Sequence, residues 1–366
     1  MIQTTNTLVV GGGLSGLYAA WRLQQQGIPY LLLEAQSNLG GRIFSAPTIK
    51  DPALAVDLGP TWFWPHQHKM MDLLRELNIT WFEQYTAGDA LYQMRPAQAP
   101  GRTAGAGAMQ SYRVNGGMQT LITALFDQVQ ASAIKTAHAV TQIEKVDGQW
   151  RLLALHEGNL HTFEAKQLVL AVPPRMISST LKPAATLSPN LVKTLSQQQT
   201  WMSAQAKFVA VYTQAFWREQ GLAGQAFSQV GPMIEIHDAS STQDEGHALF
   251  GFVGLPWAQR KQMSKAQLKE QCLAQLVQIF GQAAGEPDVC YLRDWATQPW
   301  VATEQDCLES PRHAAFNMQP FAVELATLKL HLVASEFARS EAGYLEGALM
   351  AVDEAVPEMV GHYQAL

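Results

Sequence analysis

Cysteine is scarce in this chain. The three present, Cys272, Cys290 and Cys307, are odd in number and far apart, which excludes a disulfide framework and the paired spacing of a zinc site and points to a reducing compartment. An excess of positive charge is also missing. With 25 Lys and Arg against 31 Asp and Glu, for a formal charge of −6, nothing draws the chain to nucleic acid or to an anionic membrane. No uncharged apolar run approaches the roughly 20 residues of a spanning helix. The stretch Met1 to Thr7 has no basic side chain, and Gly11 to Gly13 interrupt the apolar residues behind it, unlike a secretory signal. Neither a Gly-x-Ser-x-Gly elbow nor a Walker sequence occurs, so serine-hydrolase and nucleoside-triphosphatase chemistry have no anchor. These absences describe a cytoplasmic globular protein. Its 366 residues, 47 % of them hydrophobic, suffice for two domains or one elaborated domain.

What is present begins at the N-terminus. Leu8-Val9-Val10 reads as a buried strand, the glycines after it as a tight turn, and Leu14 to Gln26 as a helix stopped by Gly27. Tyr30-Leu31-Leu32-Leu33 is apolar on both faces, as a central parallel strand is, and ends at Glu34. Together they form a βαβ unit. Further on, Pro96 to Met109 is rich in small residues without periodicity and reads as a loop. A helix is expected over Leu121 to Val129, and a hairpin of Trp150 to Leu155 with His161 to Phe163. A separate buried strand is expected at Leu168 to Val172. Strands over Ala206 to Tyr212 and Ala248 to Val253, with an amphipathic helix over Lys265 to Phe280, make a second sheet-and-helix region. A strand at Leu330 to Val333 and a helix from Tyr344 to Val356 close the chain.

Gly11, Gly13 and Gly16 satisfy G-x-G-x-x-G between a strand and a helix, the context in which that spacing binds a dinucleotide. A side chain at Gly11 or Gly13 would obstruct a pyrophosphate, and the free N–H groups of the helix start favour its charge. Glu34 stands about 20 residues on, at the end of the second strand, where a carboxylate accepts hydrogen bonds from a ribose diol. These residues suit NAD and FAD alike. His66-Gln67-His68 offers two imidazoles without a third ligand, so no metal site is expected. The aromatics Trp62-Phe63-Trp64 and Trp81-Phe82 suit a pocket lining or a packed core.

The choice of dinucleotide comes from the residues downstream. Glu34-Ala35-Gln36-Ser37-Asn38-Leu39-Gly40-Gly41-Arg42 resembles the acid followed by Gly-Gly-Arg of the flavin-containing amine oxidase family, with Arg42 placed to neutralise the diphosphate. The likeness continues through Val56 to Trp62, through Tyr112 to Met118, at Val140, and in Ala171-Val172-Pro173-Pro174-Arg175. It ends in Val333-Ala334-Ser335-Glu336 and Gly343-Tyr344-Leu345-Glu346-Gly347-Ala348. Ala206 to Tyr212 is similar to the strand carrying that family's flavin-facing lysine, here Lys207.

This resemblance implies an α/β flavoprotein, with a Rossmann-like FAD-binding domain and an inserted α+β substrate domain. FAD-binding segments are expected over 1–62, 111–195 and 301–366. A substrate-domain segment with its loop is expected over 63–110, and the main substrate domain over 196–300. The implied FAD contacts are Gly11, Gly13, Leu14, Ser15, Gly16, Glu34, Ala35, Gly41 and Arg42. Further along they are Gly59, Pro60, Thr61, Trp62, Val140, Trp295, Ser335, Glu336, Gly343, Tyr344 and Leu345. Hydride transfer from the α-carbon of a small amine to flavin N5 is implied, with molecular oxygen as acceptor and hydrogen peroxide as product. Tyr344 would orient the amine and Lys207 would serve the oxygen step. A helix beginning near Tyr344 would direct its positive end at the flavin.

The chain departs from the family in several places. Pro60 and Ala334 replace glycines, and only Phe63 to Ser111 fill the place of a large helical insert. Where covalently linked members carry cysteine, Glu304 stands, with Cys307 out of register, so non-covalent FAD is expected. The second aromatic wall falls near Gln305, with Trp300 or Trp64 as substitutes. A carbon-skeleton desaturase or porphyrinogen-type oxidase, and a catalytically silent flavin-binding or assembly protein, are the rival readings. Oligomeric state is not written in these residues.

Overall fold

The structure, a computed structural model, describes residues 2–365 except 50, 52, 97, 105–108, 184, 185, 243, 244, 311 and 314–316. The chain opens with β1 (Ile2–Val10), α1 (Leu14–Gln25), β2 (Tyr30–Leu33), β3 (Ser45–Pro47), β4 (Ala55–Asp57) and α2 (His68–Glu76). Next come β5 (Trp81–Glu83), β6 (Asp89–Gln93), β7 (Gly101–Ala104), β8 (Tyr112–Val114), α3 (Gln119–Gln128) and β9 (Ile134–Lys135). β10 (Ala139–Val146), β11 (Gln149–His156), β12 (Asn159–Leu170), α4 (Pro174–Ser179) and α5 (Pro189–Gln197) follow. The middle region holds β13 (Ala206–Val211), α6 (Phe216–Glu219), β14 (Leu222–Ser228), β15 (Met233–Asp238) and β16 (Ala248–Val253). The chain continues through α7 (Trp257–Arg260), α8 (Lys265–Phe280), β17 (Val289–Asp294) and α9 (Glu304–Leu308). It ends with α10 (Ala322–Leu328), β18 (Leu330–Leu332) and α11 (Leu345–Gln364).

A seven-stranded sheet carries the N-terminal unit, in the order β10-β11-β12-β1-β2-β9, with β18 added to the C-terminal part of β12. β1 lies parallel to both β2 and β12, and both faces of its C-terminal part, Thr7 to Val10, are buried. Val9 packs with Leu17, Leu121 and Leu349, while Leu8 and Val10 pack with Ile143, Leu152 and Leu191. Continuous apolar strands are what such two-sided burial demands. Helices α1, α2, α3 and α11 therefore cover one face. The hairpin β10–β11 with α4, α5 and α10 flanks the other.

The second sheet runs β17-β13-β16-β15-β14-β6-β7. One face packs on α8 through Leu268, Cys272 and Leu276, and the other meets β3 and β4 through Val209, Val211 and Phe250. Helix α8 spans the expected residues because Ser264 and Gln267 form a reciprocal capping box and Gly281, with φ +89, ends it.

Three expectations change. The stretch Pro96–Met109 is not all loop, since Gly101–Ala104 forms the edge strand β7 paired with β6. Residues 97 and 105–108 of that stretch lie outside the described part. The segments His161–Phe163 and Leu168–Leu170 belong to one twelve-residue strand, β12. The final helix runs through Pro357 to Gln364 instead of stopping at Val356, because Val352 and Met359 hold both flanks in the core. Phe63, Met70, Leu73 and Leu74 join the core under α1 and α3, whereas β6 and β7 join the second sheet. Among the described residues no helix is long and apolar enough to cross a membrane.

Candidate active site

One cavity of about 390 Å³ runs from the glycine turn after β1 to the face of the second sheet that bears Lys207. The turn is built by backbone. Gly11 adopts φ +105, and a Cβ there would lie 2.7 Å from the Ala171 carbonyl oxygen, while a Cβ at Gly16 would collide with the carbonyl of Gly11. The chain's own packing thus requires both glycines. Gly13 differs. Its φ of −80 suits any residue, and an added Cβ would meet no protein atom nearer than 3.6 Å. Gly13 lines the cavity, and a bound dinucleotide backbone gives that missing side chain a purpose.

Glu34 ends β2, buried. One carboxylate oxygen accepts the Gly12 amide at 2.6 Å and the other the Gln36 amide at 2.7 Å. Burial pushes its pKa up, against these amide bonds. Each oxygen keeps a second lone-pair direction, which suits hydroxyl donors such as a ribose diol. The donor and acceptor set at this end therefore fits the nucleotide of FAD.

Arg42 is not a free counter-charge. Its guanidinium donates to both oxygens of Glu336, at 2.6 and 2.9 Å, and to Ser335 Oγ at 3.1 Å. Glu336 is 2 % exposed. Burial alone would raise its pKa, but the Arg42 charge and hydrogen bonds hold it below the usual carboxylate range. This pair ties the segment after β2 to the turn before α11.

Lys207 sits on β13 at 2 % exposure. Its ammonium donates to the Thr61 hydroxyl and, at 3.2 Å, to the Gly59 carbonyl, and it stands 3.9 Å from the centre of the Phe250 ring. Burial drives its pKa down to about 7, with Asp57 opposing and Arg113 adding to the fall. Asp57 is itself sealed in, accepting from Ser45 Oγ at 2.6 Å and Met118 N at 2.7 Å, with Arg113 at 3.9 Å. The lysine is thus a cation whose hydrogen bonds go to neutral groups, poised to change charge near neutral pH.

Tyr344 is the residue immediately before α11. Its ring meets Trp64 edge-on at 5.5 Å and stacks with His313 at 4.9 Å, and His313 in turn packs on Trp201 at 3.5 Å. Burial, then the charge of Glu341, raises the phenol pKa, which keeps the Tyr344 hydroxyl protonated at neutral pH. Glu346, in the first turn of α11, turns away to accept the Lys69 and Met70 amides at the start of α2. Trp295 donates its indole N–H to the Leu58 carbonyl at 2.8 Å, and Arg293 lies between the rings of Phe44 and Trp295 at 4.5 and 4.7 Å.

All the residues expected at the site line this cavity except Gly16 and Glu336, which stand directly behind Gly11 and Arg42. Trp62 and Trp64 face the cavity, whereas Phe63 packs in the core with Trp81 against it. Trp300 also lines the wall, together with Trp201, Met202, Gln205 and Phe252, which sequence reasoning missed. Gln305, on α9, instead bonds Glu309 just past its end. The thiols lie elsewhere: Cys272 on the buried side of α8, Cys290 on β17, and Cys307 4.0 Å from the Ala296 carbonyl. No group of three or more potential ligands that could hold a metal occurs among the described residues.

In comparisons with known proteins, residues 80–356 match the family model for flavin containing amine oxidoreductase. Residues 9–77 match that for an NAD(P)-binding Rossmann-like domain. A probable flavin-containing monoamine oxidase A of Dictyostelium discoideum is 21 % identical, covering 94 % of this chain and 95 % of its own. A putrescine oxidase of Kocuria rosea is 23 % identical, with 97 % and 95 % covered. The solved structure of wild-type putrescine oxidase bound to putrescine has a TM-score of 0.80 at 19 % identity, covering 99 % of this chain and 100 % of that one.

Proposed function

The chain belongs to the flavin-containing amine oxidoreductase family, and from that premise we propose that this FAD-dependent enzyme oxidises a small amine to an imine, with oxygen as electron acceptor. The observation that carries the reading is Lys207, a buried cation in the wall of the same cavity that Tyr344 borders. In the balanced reaction an R–CH2–NH2 group gives up two electrons and two protons to become R–CH=NH, which water hydrolyses. Oxygen takes up the two electrons and two protons and leaves as hydrogen peroxide. Bound non-covalently, FAD supplies the two-electron carrier between these half-reactions.

The chain's own residues set the conditions. Tyr344, Trp64, Trp201 and Phe252 remove water from the amine, and desolvation favours its neutral form, the one able to release a hydride. Tyr344 orients it. Lys207, with its pKa near 7, offers positive charge where oxygen acquires negative charge. Gly13, Glu34, Val140, Trp295 and Leu345 hold the nucleotide, and Arg42 with Glu336 fixes the wall between them. We assign residues 1–62, 111–195 and 301–366 to the FAD unit and 196–300 to the substrate unit. Residues 63–79 go to the FAD unit with their core, and the rest of 80–110 to the substrate unit. Three free cysteines support a reducing, cytoplasmic setting.

The test is rapid mixing of flavin-loaded protein. Lys207→Met should slow reoxidation by oxygen roughly a hundredfold and change reduction by the amine by no more than a few-fold. In the unmodified protein reoxidation should slow as pH rises through about 7, where the ammonium is lost, and the variant should lack that limb. Equal slowing of both half-reactions would remove the assignment.

A further inference from the structure

The cavity's charges also speak to which amine enters, an inference that rests on the amine oxidation proposed above. Where the second sheet borders the cavity, the wall is Trp64, Trp201, Met202, Phe252, Trp300 and Tyr344. The other ionisable side chains of the lining are Glu34, Arg42, His138 and Lys207, and none of them is a counter-charge for a second ammonium there. Glu34 serves the amides of Gly12 and Gln36 at the end of β2. Arg42 is spent on Glu336, Lys207 on Thr61 and Gly59, and His138 stacks on His156 beside the first sheet.

Carboxylates do lie behind the aromatic wall, but each is already partnered. Glu341 accepts from Gln67 at 2.7 Å and approaches His66 at 3.5 Å. Glu235 pairs with His237, whose ring packs on Trp62. Asp57 is enclosed by Ser45, Met118 and Arg113. Among the described residues, the one carboxylate of the cavity lining is Glu34, at the end of β2 away from the aromatic wall.

We infer that the substrate is a monoamine whose remainder is apolar, alkyl or aryl, and that diamines and polyamines are rejected. A second ammonium would lose its water without gaining a counter-ion. The rings and Met202 instead reward apolar surface. The expected preference is thus opposite to that named for the putrescine oxidases of similar fold.

A matched pair of substrates isolates the point, because n-butylamine and 1,4-diaminobutane differ only in the far terminus. Anaerobic reduction of the flavin-loaded wild-type protein is followed with both, and with longer n-alkylamines and phenethylamine. The ratio of limiting rate to dissociation constant should favour n-butylamine over the diamine by roughly a hundredfold or more. It should rise roughly fourfold per added methylene until the cavity is full. Equal or faster reduction by the diamine overturns this inference and leaves amine oxidation standing. Should no amine reduce a flavin that dithionite does reduce, the amine oxidation itself falls, and this inference with it.

Discussion

The two walls of the cavity are made of different material. On the side of the first sheet, recognition is built from backbone: the amides of Gly12 and Gln36 hold Glu34, and the glycines admit a close approach. On the side of the second sheet it is built from side chains brought from distant segments, Lys207 from β13, Trp64 from before α2, Trp201 from before β13 and Tyr344 from before α11. Backbone recognition constrains residue type at fixed local spacing, because only glycine lacks a Cβ. Side-chain recognition constrains only where a ring or a charge ends up, so several positions can supply it. The first wall is therefore rigid in sequence and the second interchangeable.

The largest effect that would break this contrast belongs to Gly16. An added methyl there meets backbone that cannot yield, so Gly16→Ala should cost about 3 kcal/mol or more of stability and give a colourless protein. Denaturant unfolding within 1 kcal/mol of wild type would show the turn to be more forgiving than its geometry. Next is the seam between the walls. Arg42→Ala strands the buried Glu336 carboxylate and should cost about 3 kcal/mol. Glu336→Gln should cost less, because Arg42, 26 % exposed on its side chain, can turn to water. The pH sign follows from the depressed pKa of Glu336. The pair stabilises the fold above the ordinary carboxylate range, and that contribution is lost as pH falls through the folded value. Glu336→Gln should flatten this acid limb in urea titrations. A variant as acid-sensitive as wild type would mean the pair contributes nothing there.

Smaller, and specific to the first wall, is Gly13→Ala. The protein has room for the methyl group and the cofactor does not. Thermal stability of the apoprotein should stay within about 1 kcal/mol of wild type while FAD affinity falls roughly tenfold or more. Unchanged affinity by fluorescence titration would mean that Gly13 faces space the cofactor does not use.

Legibility in the sequence followed the same division. The Leu8–Val10 end of β1, with α1 and β2, could be read from the sequence, since two-sided burial writes continuous apolar strands and the turn writes glycines, whereas the polar, more exposed start of β1 from Ile2 could not. Strand β7 could not, because its residues Gly101–Ala104 are exposed throughout. An edge strand held by backbone pairing and the Arg102–Asp89 ion pair shows no alternation. The charged Glu164 and Lys166 hid the continuity of β12, and Pro357 concealed the last part of α11, where burial on both sides outweighs the lost hydrogen bond. Lys207 and Tyr344 stood out through the family motifs around them. Trp201 has no such flanking pattern. It reaches the cavity because the left-handed Met202, φ +57, turns the chain just ahead of β13, a backbone state that methionine does not advertise.

Trp201 therefore supplies the finest test of whether the walls are separable. Its side chain leans on Gly343, where an added Cβ would lie 2.7 Å from the Trp201 Cβ, and its ring stands 6.5 Å from Tyr344. It touches both the aromatic wall and the backbone leading into α11. If the aromatic end acts only through apolar area, Trp201→Ala should raise the KM for an alkylamine about five- to tenfold. It should leave kcat and FAD affinity within about twofold, and Trp201→Phe should recover most of the loss. If the packing against Gly343 matters as much, FAD affinity will fall in step with the KM change. The cavity would then be one coupled structure, in which the start of α11 answers to the ring beside it.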